Sequence, residues 1–285
     1  MPHEWGDRRF EYDADGRRVR ELIGAGEGRE RRYRWDGAGH LAELIERSRS
    51  GTRIHRYGYD ALGRRAWKDV AILPPDAANE GGDPPAPAFT RTHFLWDGDV
   101  LLAEASAPAG EAPADPLATL YPHEPASFRP LAIARRDANG VVLHHYQLDR
   151  LGTPQELVND NGVVTWRAEL SAWGAVARVA EAEIDNPLRF QGQYEDAETG
   201  LLYNRHRYYD PHVARYTAPD PIGFEGGINV HAYVPDPTSW VDPLGLACAL
   251  GTRFSEAQWQ APTQGTGHEY KVYQQDIDWG PKNKG

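Results

Sequence analysis

The sequence predicts a mainly β protein, built from successive antiparallel hairpins that form part of a curved wall. Three observations carry this prediction. Short segments with an aromatic residue, an aspartate and a glycine-containing turn recur along the chain. The 29 glycines and 22 prolines indicate many turns rather than long helices. The 9 tryptophans and 14 tyrosines outnumber the 7 phenylalanines, and such amphipathic aromatic side chains suit half-buried sheets.

Three copies of the repeat follow one another near the start of the chain. They read FEYDADGRRVREL, YRWDGAGHLAELI and YGYDALGRRAWKD, and their aspartates are Asp13, Asp36 and Asp60. FLWDGDVLLAEA with Asp97 is a fourth copy, and YQLDRLGTPQELV with Asp149 is a looser fifth. Aspartate and glycine favour a tight turn, and the alternating flanks predict strands with one buried face. One hairpin cannot bury a face alone, so we expect neighbouring copies to continue a single sheet.

These copies resemble the YD repeats of Rhs proteins and of the C components of Tc toxins. The resemblance implies a long β-sheet coiled into a hollow shell around a toxin. Shells of that family contain many more repeats than this sequence does. The chain is therefore expected to be the last part of a shell, or the product of a shortened gene.

Two stretches interrupt the repeats, at residues 73–89 and 107–127. Both are rich in proline, glycine and acidic residues, which is typical of exposed loops. Because repeats resume after each stretch, we interpret both as insertions between hairpins. The sequence thus predicts repeats with loop insertions over 1–189, a distinct motif-bearing segment over 190–246, and a tail over 247–285.

The segment 190–246 carries the most specific pattern of the chain. It begins FQGQYEDAETGLLYNRHRYYDP at Phe190 and continues into two Asp-Pro-x-Gly turns, with eighteen residues between the first turn and the second. This pattern resembles the Rhs-associated core, which in that family plugs the shell and cuts the chain just after itself. The glycines and asparagine that match the pattern around the two turns are Gly223, Gly226, Gly227, Asn229 and Gly245.

Four positions depart mildly from the pattern of the Rhs-associated core. Ala214 stands where the family prefers glycine, and Tyr216 where it prefers phenylalanine. His231 and Asp236 stand where tyrosine and asparagine are preferred. Alanine strains a turn at a position that needs a positive φ, so Ala214 is the departure with a structural consequence to check.

The resemblance implies that Asp220 and Asp242 form an aspartic-protease-like pair, with Arg207 as a charged partner, and that the bond cut is Leu246–Ala247. Two carboxylates held close together cannot both ionise cheaply, so one acts as general acid and the other as base on a water. An arginine there either holds one aspartate ionised or stabilises the oxyanion. The bond belongs to the same chain, so its effective molarity is high and turnover is single. In the alternative interpretation, both aspartates only bond the amides of their turns.

The tail is expected to be a stub of toxin cargo. Its last part, VYQQDIDWGPKNKG, is similar to the opening of HNH-type nuclease toxins, whose catalytic segment would lie further downstream. One histidine and three acids (His268, Glu269, Asp276 and Asp278) fit no zinc spacing, and the single cysteine, Cys248, has no basic neighbour to activate it. We therefore expect no metal site and no cofactor.

The charge distribution argues against a nucleic-acid-binding body. The chain has a net charge of −11: residues 1–70 hold 16 basic and 13 acidic residues, net +3, and the remainder holds 15 and 29, net −14. No apolar run approaches the roughly 18 residues of a membrane span, and the N-terminus lacks the apolar core of a signal peptide. We expect a protein made in the bacterial cytoplasm and exported without a cleaved signal peptide, to be secreted or held at the cell surface.

Two functions of different classes follow. In the first, the chain is the C-terminal part of an Rhs toxin-delivery shell that releases its toxin by aspartic-type self-cleavage, in interbacterial competition or host targeting. Its partners would be its own tail, the remaining shell repeats, an immunity protein and components of a secretion apparatus such as the type VI system. In the second, it is a non-catalytic β-repeat module that binds carbohydrate or protein, or a displaced gene remnant, with a degenerate core. The intact aspartate pair favours the first function.

Overall fold

A computed structural model of the protein describes residues 4–24, 28–75, 86–137 and 140–246. Within these ranges the chain forms nineteen β-strands and no α-helix, with a short 3₁₀ helix at Gly223–Gly226. The prediction of a mainly β, antiparallel protein is therefore confirmed. The predicted tail, including Ala247 and Cys248, lies outside the described residues.

Two antiparallel sheets account for all of these strands. The larger sheet, called here the repeat sheet, contains fifteen strands that pair strictly in chain order. They are β1 (Glu4–Trp5), β2 (Arg8–Tyr12), β3 (Arg18–Ile23), β4 (Arg29–Trp35), β5 (Leu41–Ser48), β6 (Gly51–Tyr59), β7 (Arg65–Leu73), β8 (Thr90–Asp97), β9 (Val100–Pro108), β10 (Thr119–Leu120), β11 (Ala132–Asp137), β12 (Gly140–Leu148), β13 (Pro154–Asn159), β14 (Val164–Leu170) and β15 (Val176–Ala182). The smaller sheet, called the core sheet, contains β16 (Tyr194–Asp196), β17 (Leu201–Asn204), β18 (Arg207–Asp210) and β19 (Arg215–Tyr216).

The repeat hairpins share one turn, and Asp60 illustrates it. Its Oδ1 accepts the N–H groups of Leu62 and Arg64, each at 2.9 Å, and its backbone oxygen accepts the N–H of Gly63 at 2.9 Å. Gly63 has a φ of +72°, which favours glycine. The same pattern of bonds occurs at Asp13, Asp36 and Asp149. Aspartate and glycine therefore recur three residues apart because the side chain and the left-handed glycine close the turn together.

Two turns differ from what the repeat pattern predicts. Asp97 pairs directly with Val100 across a two-residue turn, so this copy keeps its aromatic residue but not the shared turn. Conversely, Asn159 makes the shared turn, because its Oδ1 accepts the N–H groups of Asn161 and Val163, each at 3.0 Å. A pattern centred on aspartate misses Asn159, although its amide oxygen accepts the same two backbone hydrogen bonds.

The aromatic residue before Asp36, Asp60 and Asp97 ties its hairpin to the preceding one. The indole N–H of Trp35 donates to the carbonyl of Arg18, and that of Trp96 donates to the carbonyl of Arg65, each at 2.8 Å. The hydroxyl of Tyr59 donates in the same way to a backbone carbonyl of the previous repeat. Each acceptor lies five residues after the aspartate of that previous repeat. Tryptophan and tyrosine suit this position because each combines an apolar ring with a donor at its tip.

The insertion at 107–127 is partly built into the repeat sheet. It contains β10, which pairs with β9 and β11. Tyr121 in this insertion is buried and donates its hydroxyl to Glu104 at 2.8 Å. The sequence did not indicate this short strand. Of the other insertion, residues 76–85 lie outside the described residues.

The core sheet packs against the repeat sheet through aromatic and aliphatic side chains. β17 and β18 are buried along their whole length. One buried cluster joins residues of β4 to β6 to residues of β17 and β18, and it comprises Tyr33, Leu41, Leu44, Tyr57, Leu201, Tyr203 and Tyr208. Burying a side chain of this size contributes about 1.5–3 kcal/mol. The hydrophobic effect thus holds the core sheet against the repeat sheet.

Candidate active site

The core sheet is anchored to the repeat sheet by buried ion pairs. Both carboxylate oxygens of Asp196 on β16 lie 2.9 Å from a guanidinium nitrogen of Arg65 on β7, and Lys68 Nζ lies 3.2 Å from Asp196 Oδ1. Burial raises the pKa of the Asp196 carboxyl, but Arg65 and Lys68 together hold it below its ordinary value. Asp196 is therefore ionised, and it fixes one end of the core sheet.

A second anchor lies at the other side of the core sheet. Asp210 at the end of β18 contacts Arg18 Nη1 at 2.7 Å and Arg8 Nη1 at 3.4 Å. Here too burial opposes ionisation, and the two arginines lower the pKa of Asp210 below its ordinary value. The strand that carries Arg207 is thus held at its C-terminal end by charged residues of the repeat sheet.

Arg207 brings the sequence-predicted residues together. Its Nη2 lies 2.9 Å from Asp220 Oδ2 and 3.6 Å from Asp242 Oδ2. Its Nη1 donates to the carbonyl of Val230 at 3.0 Å, and its Nε donates to the carbonyl of Gly245. All three charged side chains are nearly inaccessible to solvent. One guanidinium therefore contacts both carboxylates and the backbone just before the predicted cut.

The two Asp-Pro-x-Gly turns present their carboxylates differently. Asp220 Oδ1 accepts the N–H of Ile222 at 3.0 Å, which caps its own turn. Asp242 Oδ1 accepts the N–H of Leu246 at 3.0 Å, four residues further on. Asp220 thus bonds an amide of its own turn, as the alternative interpretation predicts, whereas Asp242 bonds the amide just after its turn, and both aspartates face Arg207. Leu246 is described, whereas Ala247 on the other side of the predicted bond is not.

Close backbone approaches hold the second turn in place. A Cβ on Gly192 would lie 2.0 Å from the carbonyl oxygen of Pro243, and one on Gly245 would lie 2.3 Å from the carbonyl oxygen of Asn204. Both glycines have positive φ angles, +81° and +68°. No side chain fits at either position, so these glycines let the turn of Asp242 lie directly against β17.

The other motif residues shape the loop between the two turns. Gly223 and Gly227 have positive φ angles, +62° and +126°, and Gly226 ends the 3₁₀ helix. Asn229 Oδ1 accepts the N–H of His231 at 3.3 Å. Ala214 has a φ of +54°, so this departure from the family pattern does place an alanine in the left-handed region.

Two residues of the site were not identified from the sequence. The Tyr216 hydroxyl on β19 donates to Asp242 Oδ2 at 2.7 Å. The Asn204 side-chain amide at the end of β17 donates to the Tyr216 hydroxyl at 2.9 Å and to the Asp242 carbonyl at 2.7 Å. For Tyr216 a signal existed, since it stands where the family prefers phenylalanine. Asn204 occupies a variable position of the motif, so nothing in the pattern marked it.

Burial sets the protonation of the aspartate pair. It raises the pKa of both Asp220 and Asp242, and the nearby Arg207 only partly offsets this. The Asp220 charge further raises the pKa of Asp242. His231, whose pKa is lowered by burial to about 4, is neutral near pH 7. The pair therefore binds a proton more readily than exposed aspartates do, as acid–base catalysis requires.

The described ranges contain no cluster of histidine, cysteine and acidic side chains that could hold a metal ion. Nor does any helix in the described part of the chain have the length and apolarity to cross a membrane.

A family model matches one stretch of the repeats, and several known proteins match most of the chain. Residues 143–180 match the family model for "RHS protein". The chain is 36% identical over 256 residues to double-stranded DNA deaminase toxin A of Burkholderia cenocepacia, which covers 85% of this chain and 17% of that protein. It is 36% identical over 265 residues to toxin protein Tse5 of Pseudomonas aeruginosa, covering 85% and 19%. A probable deoxyribonuclease RhsB of Dickeya dadantii is 32% identical over 260 residues, covering 88% and 16%.

These curated relatives are much longer, since the chain spans less than a fifth of each. Among solved structures, the Photorhabdus luminescens Tc holotoxin pore matches 92% of this chain and 11% of that chain, with a TM-score of 0.51 and 15% identity. At this identity the match shows a shared fold alone. Taken with the family model, the relatives and the strand order, these findings show that the chain belongs to the Rhs family.

Proposed function

We propose that this chain is the closing part of an Rhs toxin-delivery shell and that its core segment cuts the chain after Leu246. One observation carries the proposal. Arg207 contacts both buried carboxylates and at the same time binds the carbonyl of Gly245, one residue before the end of the predicted core. One guanidinium thus contacts both the carboxylates suited to hydrolysis and the backbone next to the predicted cleavage site.

The strand before the predicted cut is held as a substrate would be. The Gly245 carbonyl accepts from Arg207 Nε, and the Leu246 N–H donates to Asp242 Oδ1 at 3.0 Å. These bonds fix the two residues on the acyl side of the bond. Because nucleophile activation and substrate belong to one molecule, no association step is needed and the effective molarity is high.

The proposed reaction is hydrolysis of the Leu246–Ala247 peptide bond. The ionised aspartate takes a proton from a water, whose oxygen bonds to the Leu246 carbonyl carbon. The protonated aspartate gives its proton to the leaving nitrogen of Ala247, so the products are a carboxyl at Leu246 and an amine at Ala247. The guanidinium of Arg207 stabilises the negative charge of the pair and of the intermediate.

The wider role is proposed from the relatives. Two of them, at 36% identity, are named toxins, and a third is named a probable deoxyribonuclease. By analogy, residues 247–285 begin a toxin segment that cleavage frees inside the shell, for interbacterial competition or host targeting. Further shell repeats, an immunity protein and a secretion apparatus such as the type VI system are the partners this role requires.

A second function is favoured by one specific observation. Asp220 bonds an amide of its own turn and Asp242 bonds the amide just after its turn, which is enough to explain two Asp-Pro-x-Gly turns in a non-catalytic binding module or gene remnant. The two functions differ in a single measurable property, the covalent integrity of the chain.

Intact-mass analysis of the full chain tests the proposal. The wild type is expected to yield residues 1–246 and a separate 39-residue tail, which is the stretch from Ala247 to Gly285. Asp242→Asn and Asp220→Asn are each expected to keep the chain whole, because an amide neither takes a proton from water nor returns one to the leaving amine. Arg207→Ala is expected to slow the cut without abolishing it.

Asp236→Asn is the matched control for the two aspartate variants. Asp236 lies in the same segment and bonds the N–H and hydroxyl of Thr238 at 2.9 and 2.7 Å, away from Arg207. This variant is expected to be cut like the wild type. Cleavage that persists in both Asp242→Asn and Asp220→Asn contradicts the proposal, and so does a wild type that remains whole between about pH 4 and pH 8.

A further inference from the structure

Tyr216 contacts both Asp242 and Arg207 in the candidate site. It is buried, at 1% exposure, and its hydroxyl donates to Asp242 Oδ2 at 2.7 Å. The guanidinium carbon of Arg207 lies 3.7 Å from the centroid of the Tyr216 ring, within the range of a cation–π contact. One side chain therefore supports both the carboxylate and the arginine that contacts it.

Asn204 fixes the direction of the Tyr216 hydroxyl proton. The Asn204 amide nitrogen donates both to the Tyr216 oxygen at 2.9 Å and to the Asp242 carbonyl oxygen at 2.7 Å. The opposite orientation of this amide would set its oxygen against a carbonyl oxygen, so the nitrogen must face both groups. Since the Tyr216 oxygen already accepts from Asn204, its single proton is free to point at Asp242.

A donated hydrogen bond favours the charged form of a carboxylate. Burial, followed by the charge of Asp242, raises the pKa of Tyr216 well above its ordinary value, so the phenol keeps its proton and stays a donor. We propose that Tyr216, oriented by Asn204, is a positioning residue that keeps the Asp242 carboxylate ionised and fixed against the Leu246 amide. This inference rests on the proposed self-cleavage, in which it assigns Asp242 as the base: the Tyr216 hydroxyl and the Leu246 N–H both donate to this carboxylate, and together they outweigh the effect of the Asp220 charge on it.

The other groups around Asp242 do not replace the Tyr216 hydroxyl. Arg207 lies further away, at 3.6 Å from Asp242 Oδ2, and its nearer contact is with Asp220. The Tyr233 hydroxyl faces the backbone N–H of Asp242 at 3.4 Å rather than its carboxylate. His231 bonds the carbonyl of Tyr216 at 3.3 Å. Among the described residues, the Asp242 oxygen that faces Arg207 thus receives its short hydrogen bond from Tyr216.

Tyr216→Phe tests the inference because it removes the hydroxyl and keeps the ring under Arg207. The precursor is purified in denaturant and refolded into buffers of different pH, and the rate at which the 1–246 product appears is followed by mass. Without the donated bond, Asp242 ionises at higher pH. The acidic limb of the rate profile is expected to move up by about one pH unit, so the rate on that limb falls by about tenfold. The plateau at higher pH is expected to change by less than about threefold.

Tyr209→Phe is the matched control. The Tyr209 hydroxyl belongs to the same aromatic cluster but donates to the carbonyl of Trp173 at 3.1 Å, away from both aspartates. Its removal is expected to leave the acidic limb in place. A Tyr216→Phe variant that is slower by the same factor at every pH, with an unmoved limb, has lost packing alone and overturns the inference.

A second readout keeps the inference separate from the proposed function. In a chain labelled with ¹³C at its aspartate carboxyls, Asp242 is assigned by the signal lost in Asp242→Asn, and its titration is compared between wild type and Tyr216→Phe. If the wild type is never cut, the proposed function fails, yet a midpoint for Asp242 raised by about one pH unit in Tyr216→Phe still supports the role of Tyr216. An unchanged midpoint overturns that role whether or not the chain is cut.

Discussion

Neutralising Asp196 is expected to weaken the packing of the core sheet on the repeat sheet and so to lower the stability of the fold. Asp196 is fully buried and compensates two cations, Arg65 and Lys68, that lie on β7 of the repeat sheet. In Asp196→Asn the shape of the side chain is kept, while both cations remain in an apolar, aromatic surrounding: the Arg65 guanidinium lies 4.3 Å from the ring centroid of Phe94 and 4.6 Å from that of Tyr203. A buried cation that loses its carboxylate partner lowers the free energy of unfolding strongly.

The size of the effect follows from what remains after the substitution. Removing one partner of a buried ion pair costs about 3–5 kcal/mol. Lys68 keeps its contact with Glu198 at 2.9 Å, and Arg65 keeps the Tyr208 hydroxyl at 3.1 Å and its ring contacts. The lower end, about 3 kcal/mol, is therefore expected. Against a typical unfolding free energy of about 5–15 kcal/mol, this is a large fraction of the total.

Urea unfolding followed by tryptophan fluorescence measures the loss. With a slope of about 1–3 kcal/mol per molar urea, the midpoint is expected to fall by about 1–3 M. Glu156→Gln is the control, because the Glu156–Arg167 pair has a short contact of 2.8 Å but lies at the surface, with side chains 31% and 47% exposed. Such a pair is worth at most about 1 kcal/mol. Equal midpoints for Asp196→Asn and Glu156→Gln would refute the argument that burial decides the effect.

The double variant Asp196→Asn, Lys68→Met checks the cause. Removing Lys68 takes away one of the two cations that faced the lost carboxylate, so part of the lost stability is expected to return, and the two substitutions must be non-additive. Strict additivity would mean that Asp196 acts through packing and not through its charge.

Three further predictions concern pH, backbone strain and the hydrogen bond between neighbouring repeats. Because the pKa values of Asp196 and Asp210 are lowered in the fold, their stabilisation is present above about pH 4 and is lost as pH falls through the folded values; melting curves recorded downward from about pH 5 should show this loss, and Asp196→Asn should flatten it. Ala214→Gly should raise stability by up to about 1 kcal/mol, measured by the same unfolding assay, since it removes left-handed strain of about 1–2 kcal/mol and adds some unfolded-state entropy. Trp35→Phe should cost about 0.5–1.5 kcal/mol, since the Arg18 carbonyl loses its donor; no change would mean that the ring alone sets the contact.

The fold was readable from the sequence because its signals are local. An aspartate and a left-handed glycine three residues later close four of the described hairpins, at Asp13, Asp36, Asp60 and Asp149, and alternation of side chains on either side fixes which face is buried. The reading fails where a different residue makes the same bond, as at Asn159, or where the same residue closes a different turn, as at Asp97. The turn is determined by which atoms form hydrogen bonds, and residue type predicts those bonds only imperfectly.

The candidate site was readable only in part, since its members come from separate elements. The two Asp-Pro-x-Gly turns and Arg207 were found through a family pattern, and the fold brings them together. Asn204 and Tyr216 come from β17 and β19, which are joined by pairing through β18. No spacing rule in one sequence reveals that these two side chains meet at Asp242, because the contact depends on the register of the core sheet.

The hairpin between β17 and β18 explains why docking and chemistry belong to one motif. Asn204 pairs with Arg207 across a two-residue turn, and Arg205 within it has a φ of +56°, a conformation that costs a non-glycine residue about 1–2 kcal/mol. The strain is offset by where Arg205 then points: its guanidinium contacts Asp99 at 2.6 Å and the carbonyls of Leu62 and Gly63 at 2.8 and 3.0 Å.

Two residues further on, Arg207 points the other way, toward Asp220 and Asp242. The same tight turn thus connects an arginine that binds the wall to an arginine that holds the aspartate pair. Because one residue separates Arg205 from Arg207, the position of the repeat-sheet turns that bind Arg205 also bears on the guanidinium that contacts both carboxylates, and a catalytic pair tolerates only about 0.5 Å of misplacement. The candidate site is therefore complete only when the repeat sheet has folded around it, so the self-cleavage proposed above is expected only in chains whose repeat sheet has already formed.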